Sequence, residues 1–234
     1  MRYCIHSEQL TDTERQALAT HGMTSVALPR SRVLSRPVCD HPDLSLFLCD
    51  GIGYTTGEHA VFLKERIPSL PLFITSSTRG TTYPEEAALC ILTVGHHAFF
   101  RAKSTPSDVL HALEARGYLL HGVRQGYAAC TVMPLDPTHA ITADLGMARA
   151  MEAAGIEVLT IGSGGILLPP YPYGFIGGVG GVCDRTLYTL GRLDRHPDAS
   201  RIYDLIGRLG MRAVSLSDGM LRDCGRLLFF EDDL

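Results

Sequence analysis

The sequence predicts a mixed α/β fold, a five-bladed pseudo-symmetric α/β propeller of ββαβ modules whose ring is closed by strands from the two chain ends. Two observations point there. A helix, a stop residue and a strand recur in that order five times along the chain, and pairs of short β-type runs lie between these units. A module of this kind cannot bury its own apolar face, whereas five around an axis share a core and remove long free sheet edges.

In chain order, residues 11–28 (TDTERQALATHGMTSVAL) read as a helix, a stop at Gly22 and a strand. Residues 57–75 repeat the pattern with Pro68 in place of the glycine, since proline also ends a helix. Residues 107–123 follow Pro106 and stop at Gly117; residues 144–161 open on an Asp144 N-cap and stop at Gly155. The last copy, 198–216, follows Pro197, begins with Asp198 as its expected N-cap and stops at Gly210. The β runs are LSLFLCD (44–50), LCILTV with HHAFF (89–100), AACTVM with HAITA (128–143) and GFIGGVGGV with TLYTL (174–190). A fifth pair is split between RLLFF (226–230) and RYCI (2–5). Polar turns ending in glycine leave the module strands at Arg124-Gln125-Gly126, Gly162-Ser163-Gly164 and Ser217-Asp218-Gly219, and Thr78-Arg79-Gly80 reads as a fourth. A doubly wound sheet would also alternate strands and helices, but it needs only one β run before each helix.

The bulk properties narrow the function classes. A chain of 234 residues can bury roughly 70% or more of its unfolded surface without staples, and glycine and proline are spread along it, so a single domain over 1–234 is expected. Net charge is −4 with the signs interspersed, which leaves no basic footprint for nucleic acid. The seven cysteines are scattered with no CxxC pair, as reduced thiols are. With no leader pattern and no apolar run long enough to span a membrane, the expectation is a cytoplasmic protein with a small-molecule partner, its oligomeric state open.

Asp40-His41-Pro42-Asp43 stands immediately before the run LSLFLCD. There it offers an imidazole that can carry a proton near neutral pH and two carboxylates that can take a cation in paired hydrogen bonds. A proline turn with solvated charges is the plainer alternative. His96 and His97 are adjacent, so on a strand they face opposite sides and at most one reaches a shared site. With no HxH or HExxH pair and no carboxylate-rich loop, no metal and no cofactor are expected.

The five-module grammar resembles the pentein, or guanidino-group-modifying-enzyme, fold of arginine and agmatine deiminases, amidinotransferases, dimethylargininase and a ribosome anti-association factor. The segments QGYAAC (125–130), AITADLG (140–146), YGFIGG (173–178), RHPD (195–198) and VSLSDG (214–219) resemble more closely an uncharacterised bacterial domain-of-unknown-function family of that superfamily. The resemblance covers roughly residues 40–230 and implies a central polar cavity where the inner strands begin. In the superfamily's enzymes it also implies a Cys nucleophile with a His and carboxylates.

On that basis Cys130, in a context similar to that of the deiminase nucleophile, is the preferred thiol, with His41 as acid/base, Asp43 as the catalytic carboxylate, and Asp40 or Asp43 as the anchor for a substrate cation, Asp40 thus counting among the substrate-binding residues. Gln125, Tyr127, Tyr173 and Phe175 are assigned to substrate binding, the aromatic rings packing on a planar cation. Cys224 is the alternative nucleophile: it lies nearer the C-terminus, where superfamily nucleophiles sit, but follows the bulky, charged MLRD. Either thiol can instead be a small buried hydrophobe.

The glycine-rich YPYGFIGGVGGVC (171–183) is not a dinucleotide loop, because a strand rather than a helix N-terminus follows it. It reads as the inner strand of the last blade, with glycines where backbones crowd or a ligand enters. No GxSxG elbow or Walker loop is present. Two functions remain: a Cys-dependent hydrolase or transferase acting on a guanidino or amidino small molecule, and a catalytically inactive protein of the same fold that binds a macromolecular partner or metabolite.

Overall fold

The computed structural model describes residues 1–77 and 80–232, so the polar turn expected at Thr78 and Arg79 lies outside the described residues. All five expected helices form, over Asp12–Thr20, Gly57–Arg66, Ser107–Ala115, Leu145–Ala153 and Ala199–Arg208. Four end where predicted, at Gly22, Gly117, Gly155 and Gly210, each in the left-handed region with φ between +61° and +84°. The last helix shows why such segments fold: Ile202, Leu205 and Ile206 fall on one stripe at helical spacing and are buried together. Asp198 occupies its N-cap position, but its carboxylate accepts from the Gly162 amide at 2.7 Å and pairs with Arg201 instead of capping its own helix.

Each helix lies between the second and third strands of a three-stranded sheet, and the order repeats five times. Leu46–Cys49, Ile52–Thr55 and Leu72–Ile74 form one sheet; Leu92–Val94, His97–Phe100 and Leu119–Gly122 form the next. Val132–Pro134, His139–Thr142 and Glu157–Thr160 make another, as do Gly180–Cys183, Thr186–Thr189 and Arg212–Ser215. In all of them the first pair is antiparallel and the second parallel. The fifth copy is the split one: Leu228–Glu231 pairs antiparallel with Arg2–Ser7, which pairs in parallel with Met23–Leu28. A short parallel pair, Ile166–Leu167 with Leu221–Arg222, bridges two connections.

The first strands start later than the apolar runs suggest. LSLFLCD opens with a helical turn over Pro42–Ser45, AACTVM with one over Ala128–Thr131, and GFIGGVGGV with a 3₁₀ turn over Ile176–Val179. Every residue of these turns is buried. A short continuous apolar run does not distinguish a buried strand from a buried helical turn. Cys130 therefore sits on a helical turn, not in a strand.

Wholly buried Glu14 ties the first helix to the far end of the chain. It completes a capping box with Thr11 and also accepts from Ser217 Oγ (2.7 Å) and Arg222 Nη2 (2.6 Å). Burial pushes its carboxyl up, but the hydrogen bonds from Arg222, Thr11 and Ser217 outweigh burial and hold the pKa below its ordinary value. A depressed folded pKa gives stability that is present above the unfolded value, about 4.3, and is lost as pH falls through the folded one. Glu14→Gln is expected to cost about 2 kcal/mol at neutral pH and to remove this part of the acid sensitivity. Urea melts between about pH 3 and pH 7 check both.

Candidate active site

The segments leading into the five first strands converge on one cavity of about 610 Å³. Each contributes: His41 and Leu44 from one lead, Glu86 from the next, Tyr127 and Cys130 from the third, Tyr173 and Phe175 from the fourth, and Asp223 from the last. The wall is mostly apolar and aromatic. Leu34, Val38, Leu44, Ala87, Cys90 and Ala129 pack beneath it around Cys130.

At the floor, the Cys130 thiol donates to Asp43 Oδ2 at 2.7 Å and lies 3.7 Å from Cys90 Sγ. His41 is the N-cap of the turn that carries Asp43, so the two side chains leave one backbone corner toward Cys130. One ligand-type atom from each of His41, Asp43 and Cys130 lies within 4.8 Å of the others, and all three residues are buried. His41 Nδ1 stands 3.9 Å from Asp223 Oδ1. Asp223 is fixed by the amides of Phe175 (2.8 Å) and Gly225 (3.1 Å).

Among the described residues, the acidic side chains at the cavity stand without a lysine or arginine partner in its wall. Asp43, Asp223 and Glu86 are each at least 96% buried, and among the described residues no Lys or Arg lines the cavity. Burial first, then Cys90 and the charges of Asp43 and Asp223, pushes the Cys130 thiol well up. Burial also raises the carboxyl of Asp223, against the pull of His41 and the two amides. At neutral pH the resting Cys130 is thus a protonated thiol.

Of the residues singled out from sequence, His41, Gln125, Tyr127, Cys130, Tyr173 and Phe175 line the cavity, and Asp43 sits against the thiol. Gln125 spends its amide on Asp144 and on the Tyr127 N–H. Tyr127 donates to Glu86, which also accepts from the Ser35 amide at 3.1 Å. Asp40 is not brought to the wall: it points the other way and accepts from Gln9 Nε2 at 2.6 Å. Cys224 lies outside the lining, in the apolar cluster of Cys4, Leu10 and Leu216, where burial pushes its pKa up to about 12. His97 pairs with His121 at 2.9 Å, away from the site.

Asp223 and Glu86 were missed. Asp223 adjoins Cys224, and alternation along an extended segment would have turned it to the cavity once Cys224 was placed in the core. Glu86 had no local signal. The grouping of His41, Asp43 and Cys130 as metal-type donors has no short-spacing signature, because Cys130 is 87 residues from Asp43.

The glycines of 171–183 are explained by close approach. A Cβ on Gly174 or Gly178 would strike Asp223, at 2.5 Å from its Cβ and 1.8 Å from Oδ1 respectively. One on Gly177 would meet the carbonyl oxygens of Ala129, Val132 and Cys130 at 2.3–2.5 Å. Gly177 lets the fourth lead press against the turn that holds the thiol, and Gly174 and Gly178 let it press against Asp223.

Solved structures similar to this one share the architecture. Dimethylarginine dimethylaminohydrolase, as an adduct with S-methyl-L-thiocitrulline, matches with a TM-score of 0.58 at 12% identity, over 92% of this chain and 91% of that one. The enzyme of that name from Pseudomonas aeruginosa, in complex with citrulline, matches at 0.55 and 11%, over 92% and 90%. Inosamine-phosphate amidinotransferase from Streptomyces griseus matches at 0.56 and 15%, over 90% and 77%. The chain thus has the mixed α/β pentein fold of guanidino-modifying proteins. It belongs to DUF6873, a family of unknown function whose model matches residues 5–228. A search of curated proteins finds no match. No helix among the described residues is long and apolar enough to cross a membrane.

Proposed function

We propose that the five sheets are the blades of one propeller domain, and that its cavity is the active site of a cytoplasmic Cys-dependent hydrolase or transferase acting on a guanidino or amidino small molecule. The observation that carries this reading is the Cys130 thiol resting on Asp43 at the floor of a cavity whose buried charged groups are carboxylates. On this reading Asp223 and Glu86 hold a planar cation, and the rings of Tyr127, Tyr173 and Phe175, which line the same cavity, pack on it. Its positive charge offsets the field that holds the thiol protonated. The Cys130 proton passes to Asp43 and Sγ attacks the amidino carbon; the C=N pair moves onto nitrogen, and His41 protonates the departing amine. Water or an acceptor amine then takes the carbon from sulfur.

The test is alkylation by a haloacetamidine, in which Sγ displaces halide. At neutral pH it is expected to label Cys130 at least ~10-fold faster than iodoacetamide does, because only the cationic reagent stabilises the thiolate. The iodoacetamide rate should rise with pH, as expected for a thiol held protonated. Peptide mapping by mass spectrometry separates Cys130 from the more exposed Cys39 and Cys183. Labelling confined to those two in a natively folded protein would return the chain to the alternative of a binding protein without catalysis.

A further inference from the structure

The donor set at the cavity floor supports a second chemistry, independent of any guanidinium ligand. We propose that His41, Asp43 and Cys130 form a binding site for a thiophilic divalent cation of the Zn²⁺ class, with the remaining coordination position open to the cavity. Two observations converge. First, an imidazole, a carboxylate and a thiol place one donor atom each within 4.8 Å of the others. A tetrahedral zinc site with ordinary bond lengths sets its donors about 3.3–3.8 Å apart, so closure requires only small side-chain shifts from turns that are already fixed. Second, polar atoms at this spot lack partners: among the described residues, neither ring nitrogen of His41 and not Asp43 Oδ1 has a hydrogen-bond partner, although both residues are 98% buried. A buried imidazole normally satisfies at least one nitrogen.

The surroundings suit a metal further. Asp223 Oδ1 lies 3.9 Å from His41 Nδ1, beyond hydrogen-bond reach but close enough for a small shift to bring a carboxylate onto the ring of a ligating histidine. His41 and Cys130 both line the cavity, so a metal bound there meets whatever enters it, as at sites that keep a position for water or substrate. A mixed His/Asp/Cys set favours Zn²⁺ over Mg²⁺ or Ca²⁺, which take oxygen donors. As the Sγ–metal bond forms, the thiol proton leaves to water through the cavity; no electron changes hands. The metal-bound thiolate is no longer free to attack carbon. The metal-loaded form and the nucleophilic form exclude one another, and Zn²⁺ acts as a reversible block on Cys130.

The experiment uses the full chain, metal-stripped, with Zn²⁺ and a chromophoric competitor, followed by metal analysis after dialysis and by Co²⁺ substitution. One metal per chain is expected, with a thiolate-to-Co²⁺ charge-transfer band and loss of haloacetamidine labelling that a chelator restores. Cys130→Ser should abolish the band. Asp43→Asn should weaken binding by about 100-fold or more, while Cys224→Ser, outside the site, keeps both metal and band. Thermal melts identify any variant that fails to fold; Cys130→Ser is close in size to the native residue and serves as the decisive one. No metal retained by a protein that is still labelled at Cys130 overturns the proposal and leaves the function standing. Metal retained equally by Cys130→Ser, or labelling unaffected by Zn²⁺, also overturns it. Metal bound as expected, with no labelling of the stripped form, sinks the covalent function instead.

Discussion

Cys130→Ser is expected to lower kcat/KM for any guanidino or amidino compound the protein turns over by at least ~10³-fold, the scale seen when an enzyme loses its nucleophile. The compound would be found by following amine or ammonia release across a panel of alkyl and aryl guanidines. The fold should be unaffected: serine fits the site and its hydroxyl can keep the hydrogen bond that Sγ makes to Asp43 Oδ2. Circular dichroism and a melt close to the parent's would show that the loss is chemical. Cys224→Ser provides the contrast, because that thiol packs among apolar side chains away from the cavity. If Cys130→Ser keeps activity while Cys224→Ser loses it, the assignment of the nucleophile is wrong.

Gly177→Ala is expected to be a strongly damaging single-methyl insertion in the glycine-rich lead. The new Cβ would meet three backbone carbonyl oxygens at 2.3–2.5 Å, and backbone cannot swing aside as the end of a long side chain can. Overpacking of this kind costs about 3 kcal/mol or more, which for a domain of this size lowers Tm by roughly 6–12 °C. Cys130 should also lose haloacetamidine reactivity, since two of the displaced carbonyls, those of Ala129 and Cys130, belong to its own turn. Gly207→Ala makes the opposite case. Gly207 sits in the helix Ala199–Arg208 with nothing within 4 Å of an added Cβ, and alanine there should stabilise by about 0.5–1 kcal/mol. Differential scanning calorimetry of the pair checks both signs; a neutral Gly177→Ala would mean that the lead and the thiol turn are not pressed together as described.

The module order was legible because each helix carries its own signals: apolar residues at helical spacing and, in four of the five, a glycine that alone adopts the left-handed stop easily. The pairing of the end strands was also legible, since RYCI and RLLFF lacked partners elsewhere. The leads were not, because a buried helical turn and a buried strand share the same short apolar composition. For the site, His41 and Cys130 could be singled out because each stands beside a turn signal at the start of a module. Asp40 and Asp43 could not be told apart: both flank the same proline turn, and only the three-dimensional path shows that one meets the thiol while the other meets Gln9. Glu86 enters through a contact distant in sequence, which no local pattern encodes, and Asp223 becomes legible only once its neighbour Cys224 is placed in the core.

Because every module sends one lead to the same cavity, the positions around it are interchangeable in a way that those of a single-scaffold active site are not. A reactive group relocated from one lead to another would still face the same ligand, from a new bearing. The geometry of the cavity is therefore set by the repeat, and the chemistry of its wall by the side chain that each lead happens to carry. Chains of this architecture are then best compared lead by lead around the cavity instead of position by position along the chain.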